Sequence, residues 1–222
     1  MISIAIDGPA GAGKSTIADA LAERLGYVHV DTGALYRAVA LSLIRNGIAA
    51  DESKKVSDHL KTVKVELEHD GAKQTVLLNG ENVMGFIRTP DVSMMASTSS
   101  ALPEVRAFLL DTQRSIAKKM NVIMDGRDIG TVVLPDATVK IFLTADPEIR
   151  AKRRYIELLE KSPDTKYEDV LRDVIKRDEN DSNRAVAPLK PAPDSITVNT
   201  TSMPLDESID HMYRIVLERI GK

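Results

Sequence analysis

The sequence predicts a three-layer α/β fold: a five-stranded parallel sheet flanked by helices, with an inserted antiparallel β-hairpin and a helical lid. Three observations carry this. Five short runs rich in Val, Ile and Leu, at Ile2 to Asp7, Tyr27 to Asp31, Val122 to Asp125, Val139 to Leu143 and Ile196 to Asn199, read as strands covered on both faces. Helical patterns separate them, and crossovers through such helices make the sheet parallel. The stretch from Val63 to Val83 breaks the rhythm, alternating in period two on both sides of Asp70-Gly71, which reads as a hairpin turning there.

The first run leads into the clearest helix. Ile17, Ala18, Leu21, Ala22 and Leu25 fall on one face, and Gly26 follows as a left-handed cap. A second helix is expected over Ala34 to Asn46, and a third over Asp51 to Leu60, capped by Asp51. After the hairpin, Met84 to Thr89 leads into a helix from Pro90 to Ser100, and Pro103 opens a longer one, as a first-turn proline, running to Met120. Residues 147–184 form a charged helical pair interrupted at Ser162-Pro163-Asp164, carrying Arg150, Lys152, Arg153, Arg154, Arg172, Lys176, Arg177 and Arg184. They read as a mobile basic lid, although charge runs on helices are usually solvated faces, and about half of these side chains are assigned that plainer role. Ala185 to Pro193 holds three prolines and resists regular structure, and Leu205 to Ile220 closes the chain as an amphipathic helix.

A chain of 222 residues suits one α/β domain with insertions. Its 43% hydrophobic and 28% charged residues are those of an ordinary globular protein. With 30 basic against 33 acidic residues the formal charge is −3, so no global positive field exists to hold a nucleic-acid polymer. The absence of cysteine excludes disulfides, thiolate catalysis and a cysteine zinc site, so any metal must be held through oxygen. The N-terminal MISIAIDGPAG has no basic region, and its apolar stretch is far below the roughly 18 residues that span a bilayer. A cytoplasmic protein is expected. The histidines at 29, 59, 69 and 211 show no ligand spacing and read as structural or surface residues, and Met94-Met95 as core packing.

Chemistry enters at the first strand–helix junction. Gly8, Pro9, Ala10, Gly11, Ala12, Gly13, Lys14 and Ser15 fit G-x-x-x-x-G-K-[ST] at every defined position, and Thr16 follows. Lying between an apolar strand and an amphipathic helix, the segment can turn successive N–H groups and a helix N-terminus toward the phosphates of ATP. A glycine-rich turn that happens to contain lysine is the plainer alternative. Lys14 is expected on the β- and γ-phosphates, and the Ser15 hydroxyl on Mg²⁺. Two readings of Asp125 stand: a carboxylate at a strand end acting on Mg²⁺ through water, or a turn cap. An Asn-Lys-x-Asp guanine motif is missing, which argues against a GTPase.

Three more segments narrow the acceptor. Asp31-Thr32-Gly33-Ala34-Leu35-Tyr36-Arg37 follows the second strand, and Asp125-Gly126-Arg127-Asp128-Ile129-Gly130-Thr131 follows the third. Arg177-Asp178 with Asp181-Ser182-Asn183-Arg184-Ala185 ends the lid. With the phosphate loop, these segments resemble bacterial-type cytidylate kinases, which are P-loop nucleoside monophosphate kinases, from Ile2 to the last helix, including the hairpin, Ile87-Arg88-Thr89 and Pro135-Asp136-Ala137.

The resemblance implies the three-layer P-loop kinase fold in a single domain, 1–222, with a nucleoside-monophosphate-binding subregion at 32–112, the hairpin near 63–83 and a lid at 147–184. It implies transfer of the γ-phosphoryl group of Mg-ATP to CMP or dCMP. Thr32 and Arg37 would lie near the monophosphate, Thr32 standing where family members often have Ser. Ser97, Arg106 and Asp128 would face the cytosine edge, and Arg177 and Asp181 the CMP phosphate and ribose. Arg127, Arg177 and Arg184 would join Lys14 around the transferred group. The implied partners are ATP, CMP and dCMP, with no polymer, no membrane and a monomeric state. A P-loop kinase for another small acceptor, such as UMP, a nucleoside or a metabolite, is the alternative, and an ATP-dependent switch protein is a more distant one.

Overall fold

The computed structural model describes residues 1–70, 73–160 and 162–221. The chain runs through β1 (Ser3–Asp7), α1 (Lys14–Leu25), β2 (Val28–Asp31), α2 (Thr32–Arg45) and α3 (Ser53–Leu60). It continues through β3 (Val65–Asp70), β4 (Lys73–Leu78), β5 (Glu81–Asn82), α4 (Pro90–Ser99), α5 (Pro103–Lys119) and β6 (Val122–Gly126). A single π-helical turn at Ile129–Val133 precedes β7 (Val139–Thr144), α6 (Pro147–Leu159), α7 (Tyr167–Asn183), β8 (Ile196–Asn199) and α8 (Leu205–Ile220).

All five expected strands form one sheet in the order β2-β6-β1-β7-β8, and every pair is parallel. Its two faces divide by the period of the strand. On β1, Ile4 and Ile6 pack with Ile17 and Leu21 of α1 and Met212 and Val216 of α8, while Ala5 turns to the other face with Val30, Met124 and Ile129. Leu110 and Ile116 of α5 pack against that second face. Ile4, Ile6, Leu21 and Ile141 are fully buried, each worth about 1.5–3 kcal/mol relative to exposure. A further core joins α2 to the antiparallel strands and to α4 and α5 through Leu35, Leu43, Val76, Leu78, Val92 and Leu109. Among the described residues, no helix is long and apolar enough to cross a membrane.

Several boundaries differ from expectation. Helix α2 begins at Thr32 rather than Ala34, because Asp31 is its cap: the Asp31 carboxylate accepts from Ala34 N at 3.0 Å. Asp51 does not cap α3. The cap position falls to Glu52, whose side chain folds back to accept from Ala49 N at 3.1 Å instead of capping. The hairpin is a three-stranded antiparallel sheet, since Asn79 and Gly80, at φ of 50° and 84°, turn the chain back into β5. Of the turn expected at Asp70-Gly71, Gly71 lies outside the described residues. Met95 joins the core beside α2, as expected, whereas Met94 does not.

Register then sets the site. Asp31 of β2 stands beside Asp125 of β6, and Asp7 of β1 beside Gly126, so three loops leave the same carboxyl edge of the sheet. In such sheets the crevice outside that edge is where ligands bind.

Candidate active site

The loop after β1 is shaped by glycine where nothing else fits. Gly8 has φ 151°, and a Cβ there would sit 1.9 Å from the main-chain oxygen of Leu143. Gly11 and Gly13 also have positive φ, at 74° and 89°. Gly13 caps α1 without a side-chain bond, leaving the first N–H groups of this helix to a ligand. Lys14 is buried and donates to Pro9 O at 2.8 Å. Burial, helped by the nearby Arg127, pushes its ammonium down to about 7, against the pull of Asp125, Asp181 and Asp7.

Beside the lysine, Ser15 Oγ donates to Asp125 Oδ2 at 2.9 Å. The other oxygen, Asp125 Oδ1, lies 2.8 Å from His29 Nε2, and His29 Nδ1 lies 2.5 Å from Asp19. Burial alone would lower this imidazole, yet contacts with the two carboxylates lift it to about 10, so it is cationic near neutral pH. Among the described residues, the Asp125 carboxylate thus has side-chain partners at a strand end and accepts from no main-chain N–H. Asp7 accepts from Ile129 N and Gly130 N at 2.7 and 2.8 Å, tying β1 to the π-helical turn beside Asp128. Burial lifts its carboxyl to about 6 in spite of those two bonds.

Across the cleft, Asp128 is gripped by two arginines. Arg106 Nη2 contacts Asp128 Oδ2, and Arg184 Nη2 donates to Asp128 Oδ1 at 3.2 Å. Arg106 also donates to Ser100 O at 3.2 Å and lies 5.7 Å over the Tyr36 ring. Asp181 accepts from Arg127 Nε at 2.7 Å and from Ser97 Oγ at 3.2 Å. Burial would raise the Asp181 carboxyl, but Arg127, Arg177 and Arg184 hold it below the usual range. Arg37 Nη2 donates to Asp31 Oδ2 at 2.8 Å, and Arg88 approaches the same oxygen at 3.4 Å. Among the described residues, the Nε atoms of Arg37 and Arg177 are buried without a hydrogen-bond partner. Burial and neighbouring Arg127 lower Arg177 to about 10, which leaves it charged at neutral pH.

One cleft is lined by nearly all the residues expected from sequence: Ala10, Gly11, Gly13, Lys14, Ser15, Thr16, Thr32, Arg37, Ser97, Arg106, Asp125, Arg127, Asp128, Arg177, Asp181 and Arg184. Gly8, Pro9 and Ala12 shape the loop without lining the cleft. Thr32 donates to Asp125 O at 2.7 Å, so its hydroxyl hydrogen is engaged by main chain. Of the basic helical pair, Arg154, Arg177 and Arg184 reach the cleft. Arg150 is instead buried against Ala10 O and Asp178, and Arg153 donates to Thr200 O, while Lys152, Arg172 and Lys176 are exposed.

Sequence reading gave no role to Asp31, Tyr36, Arg88 or Ser100, all of which line the cleft, nor to His29, read there as structural or surface. Tyr36 lies in the segment that follows β2, and Arg88 in Ile87-Arg88-Thr89. The signal for His29 was its place two residues before the strand-end Asp31, which puts both on one side of β2. Charge gathers here. Eight basic side chains (Lys14, Arg37, Arg88, Arg106, Arg127, Arg154, Arg177, Arg184) face five acidic ones (Asp31, Asp125, Asp128, Glu157, Asp181), a local excess of positive charge in a chain that is net negative.

A phosphate loop between β1 and α1, set in the five-stranded parallel sheet and opening on a cationic cleft, defines a P-loop kinase. The family model described as cytidylate kinase matches residues 4–218, and the chain belongs to that family. Cytidylate kinase of Caldicellulosiruptor bescii is 48% identical over 99% of both chains, and that of Caldicellulosiruptor saccharolyticus 47% identical over 99% of this chain and 97% of its own. The Fervidobacterium nodosum cytidylate kinase is 49% identical over 97% of this chain and 96% of its own. Among solved structures, a shikimate kinase from Bacteroides thetaiotaomicron aligns with 100% of this chain and 99% of its own, at 13% identity and a TM-score of 0.49.

Proposed function

We propose that the chain transfers the γ-phosphoryl group of ATP to CMP or dCMP, giving ADP and CDP or dCDP. The observation that carries this is the pairing, in one cleft of a cytidylate kinase family member, of a phosphate loop with a carboxylate, Asp128, held between Arg106 and Arg184. Cytosine offers an exocyclic amine beside the N3 and O2 acceptors. Asp128 has lone pairs beyond those its arginines use, so it can accept from the amine, while Arg106 and Ser97 supply donors for the ring. Arg37 and Arg177, each with a buried unpartnered Nε, suit the acceptor phosphate, and Asp181 suits the ribose side.

The acceptor nucleophile is a phosphate oxygen, already ionised near neutral pH, so no strong base is required. Its bond to γ-phosphorus forms as the bridging bond to ADP breaks. Lys14, Arg127, Arg177 and Arg184 take up the charge on the transferred oxygens, and the electron pair leaves on ADP. We read residues 147–184 as a lid that closes over this step and excludes water, and 32–112 as the acceptor-binding part of a single domain.

The donor set fits Mg²⁺. Ser15 Oγ and Asp125 Oδ2 are hard oxygen ligands 2.9 Å apart beside the phosphate loop, and among the described residues no cluster of three His, Cys, Asp or Glu could hold the ion by itself. The ion would therefore come with the nucleotide, held by the Ser15 hydroxyl and, through water, by Asp125. When bound it neutralises phosphate charge. The reading extends to a cytoplasmic monomer acting on free nucleotides. Coupled assays with ATP and CMP, dCMP, UMP or AMP test it. Turnover should be highest with CMP and dCMP; equal turnover with AMP or UMP would overturn the acceptor assignment.

A further inference from the structure

Strand β2 closes one side of the parallel sheet, with β6 as its neighbour in that sheet, so its other edge faces the antiparallel strands. Val28 N donates to Asn121 O on the β6 side, so His29 and Asp31, of opposite parity, turn their main-chain polar groups to the outer edge. Among the described residues, no backbone strand continues the sheet there. Side chains of β3 and β4 do the work instead. His69 Nε2 lies 3.2 Å from His29 O. Gln74 Oε1 accepts from Asp31 N at 2.8 Å, and Gln74 Nε2 donates to Asp31 O at 3.2 Å. His69 and Gln74 stand directly opposite each other in the β3–β4 register. With one acceptor and one donor spaced like a peptide group, the carboxamide serves as a single residue of a missing strand.

What Gln74 holds is functional. Asp31 ends β2, caps α2, and binds Arg37 and Arg88 through Oδ2. Burial would raise this carboxyl, but Arg37, Arg88 and His29 hold it below the usual range. The two side chains pass close over the helix start, where a Cβ at Gly33 would lie 3.0 Å from both Arg37 Nη1 and Asp31 Oδ1. We infer that Gln74 is a positioning residue for the acceptor site, fixing the main chain of Asp31 and thereby the guanidinium groups of Arg37 and Arg88. The inserted sheet is thus the part that sets the acceptor-phosphate grip. The inference rests on reading that grip as the binding site of the CMP phosphate.

Steady-state kinetics on the full chain decide it. Gln74→Ala should raise KM for CMP roughly tenfold, as expected for loss of one or two buried hydrogen bonds, while kcat and KM for ATP stay within about twofold. His69→Ala, which loses the neighbouring edge contact, should lower thermal stability and leave KM for CMP unchanged. Gln74→Met keeps the volume and loses both bonds, and is read in the same way if the alanine variant fails to fold. An unmoved KM for CMP in the Gln74 variants, a parallel loss toward both substrates, or an equal rise in His69→Ala overturns the inference alone. Absence of CMP turnover in the wild-type chain overturns the function beneath it as well.

Discussion

Arg127 Nε donates to Asp181 Oδ2 at 2.7 Å, joining the loop after β6 to α7 across 54 residues of chain. The Asp181 side chain is 5% exposed and that of Arg127 21%, so removing the carboxylate takes from Arg127 its hydrogen-bonded counter-charge and leaves Arg177 beside it with less opposing charge, while Arg184 keeps Asp128. Asp181→Asn should therefore lower stability by about 2–3 kcal/mol, below a fully buried pair because Arg127 keeps some solvent. The sign with pH follows from the lowered carboxyl. Its stabilisation is complete above the unfolded carboxylate range, near pH 4, and is lost as acid approaches the depressed folded value. Urea denaturation at pH 7 and pH 3 should show the gap between wild type and variant wide at the first and narrowed at the second.

Lys14 is pushed down to about 7, so without nucleotide at pH 8 it is mostly neutral. The triphosphate pulls its proton back, and ATP binding at that pH should take up protons. Calorimetry in buffers of differing ionisation enthalpy reads this directly, and the uptake should vanish in Lys14→Met. That variant should fold and lose at least about a hundredfold in turnover. The same shift makes the wild-type protein, without added nucleotide, gain stability from about pH 7 toward 10.5, because only the unfolded chain still holds the proton there.

Asp128→Ala should weaken CMP binding by about 1–3 kcal/mol and leave ATP nearly untouched, since the carboxylate faces Arg106 and Arg184 rather than the phosphate loop. Binding isotherms for both nucleotides check it. An equal loss for the two would argue against base recognition at this residue.

Gly8→Ala should destabilise the protein by more than about 3 kcal/mol, since its Cβ meets the main chain of Leu143 inside the central sheet, where neither partner can swing away. Chemical denaturation gives the measure, and saturating ATP should fail to restore wild-type stability.

Much of this was readable in one dimension. A strand buried on both faces must be apolar along its length, so all five parallel strands stood out, and α8 occupies the expected Leu205–Ile220. The phosphate loop was legible for the same kind of reason: its backbone geometry, its lysine and its hydroxyl lie within eight consecutive residues, Gly8 to Ser15. The third antiparallel strand was encoded too, in the Asn79-Gly80 turn. The α3 cap position falls at Glu52 rather than Asp51, and its side chain bonds back to Ala49 N instead of capping, a choice set by the path of the incoming chain.

Tertiary structure decided the partnerships. His29 reaches Asp125 across 96 residues, Arg88 reaches Asp31 across 57, and Gln74 reaches Asp31 across 43. Local propensity and periodicity carry no record of such pairs, because they exist only once the sheet takes the order β2-β6-β1-β7-β8 and sets its carboxyl edge beside the inserted strands. Sequence by itself determined the fold class and the donor phosphate loop, both of which depend on near neighbours in the chain. The geometry of the acceptor side, with Asp31 held by Gln74 and Asp128 held by Arg106 and Arg184, arises from long-range packing, which brings charges together that the chain keeps far apart.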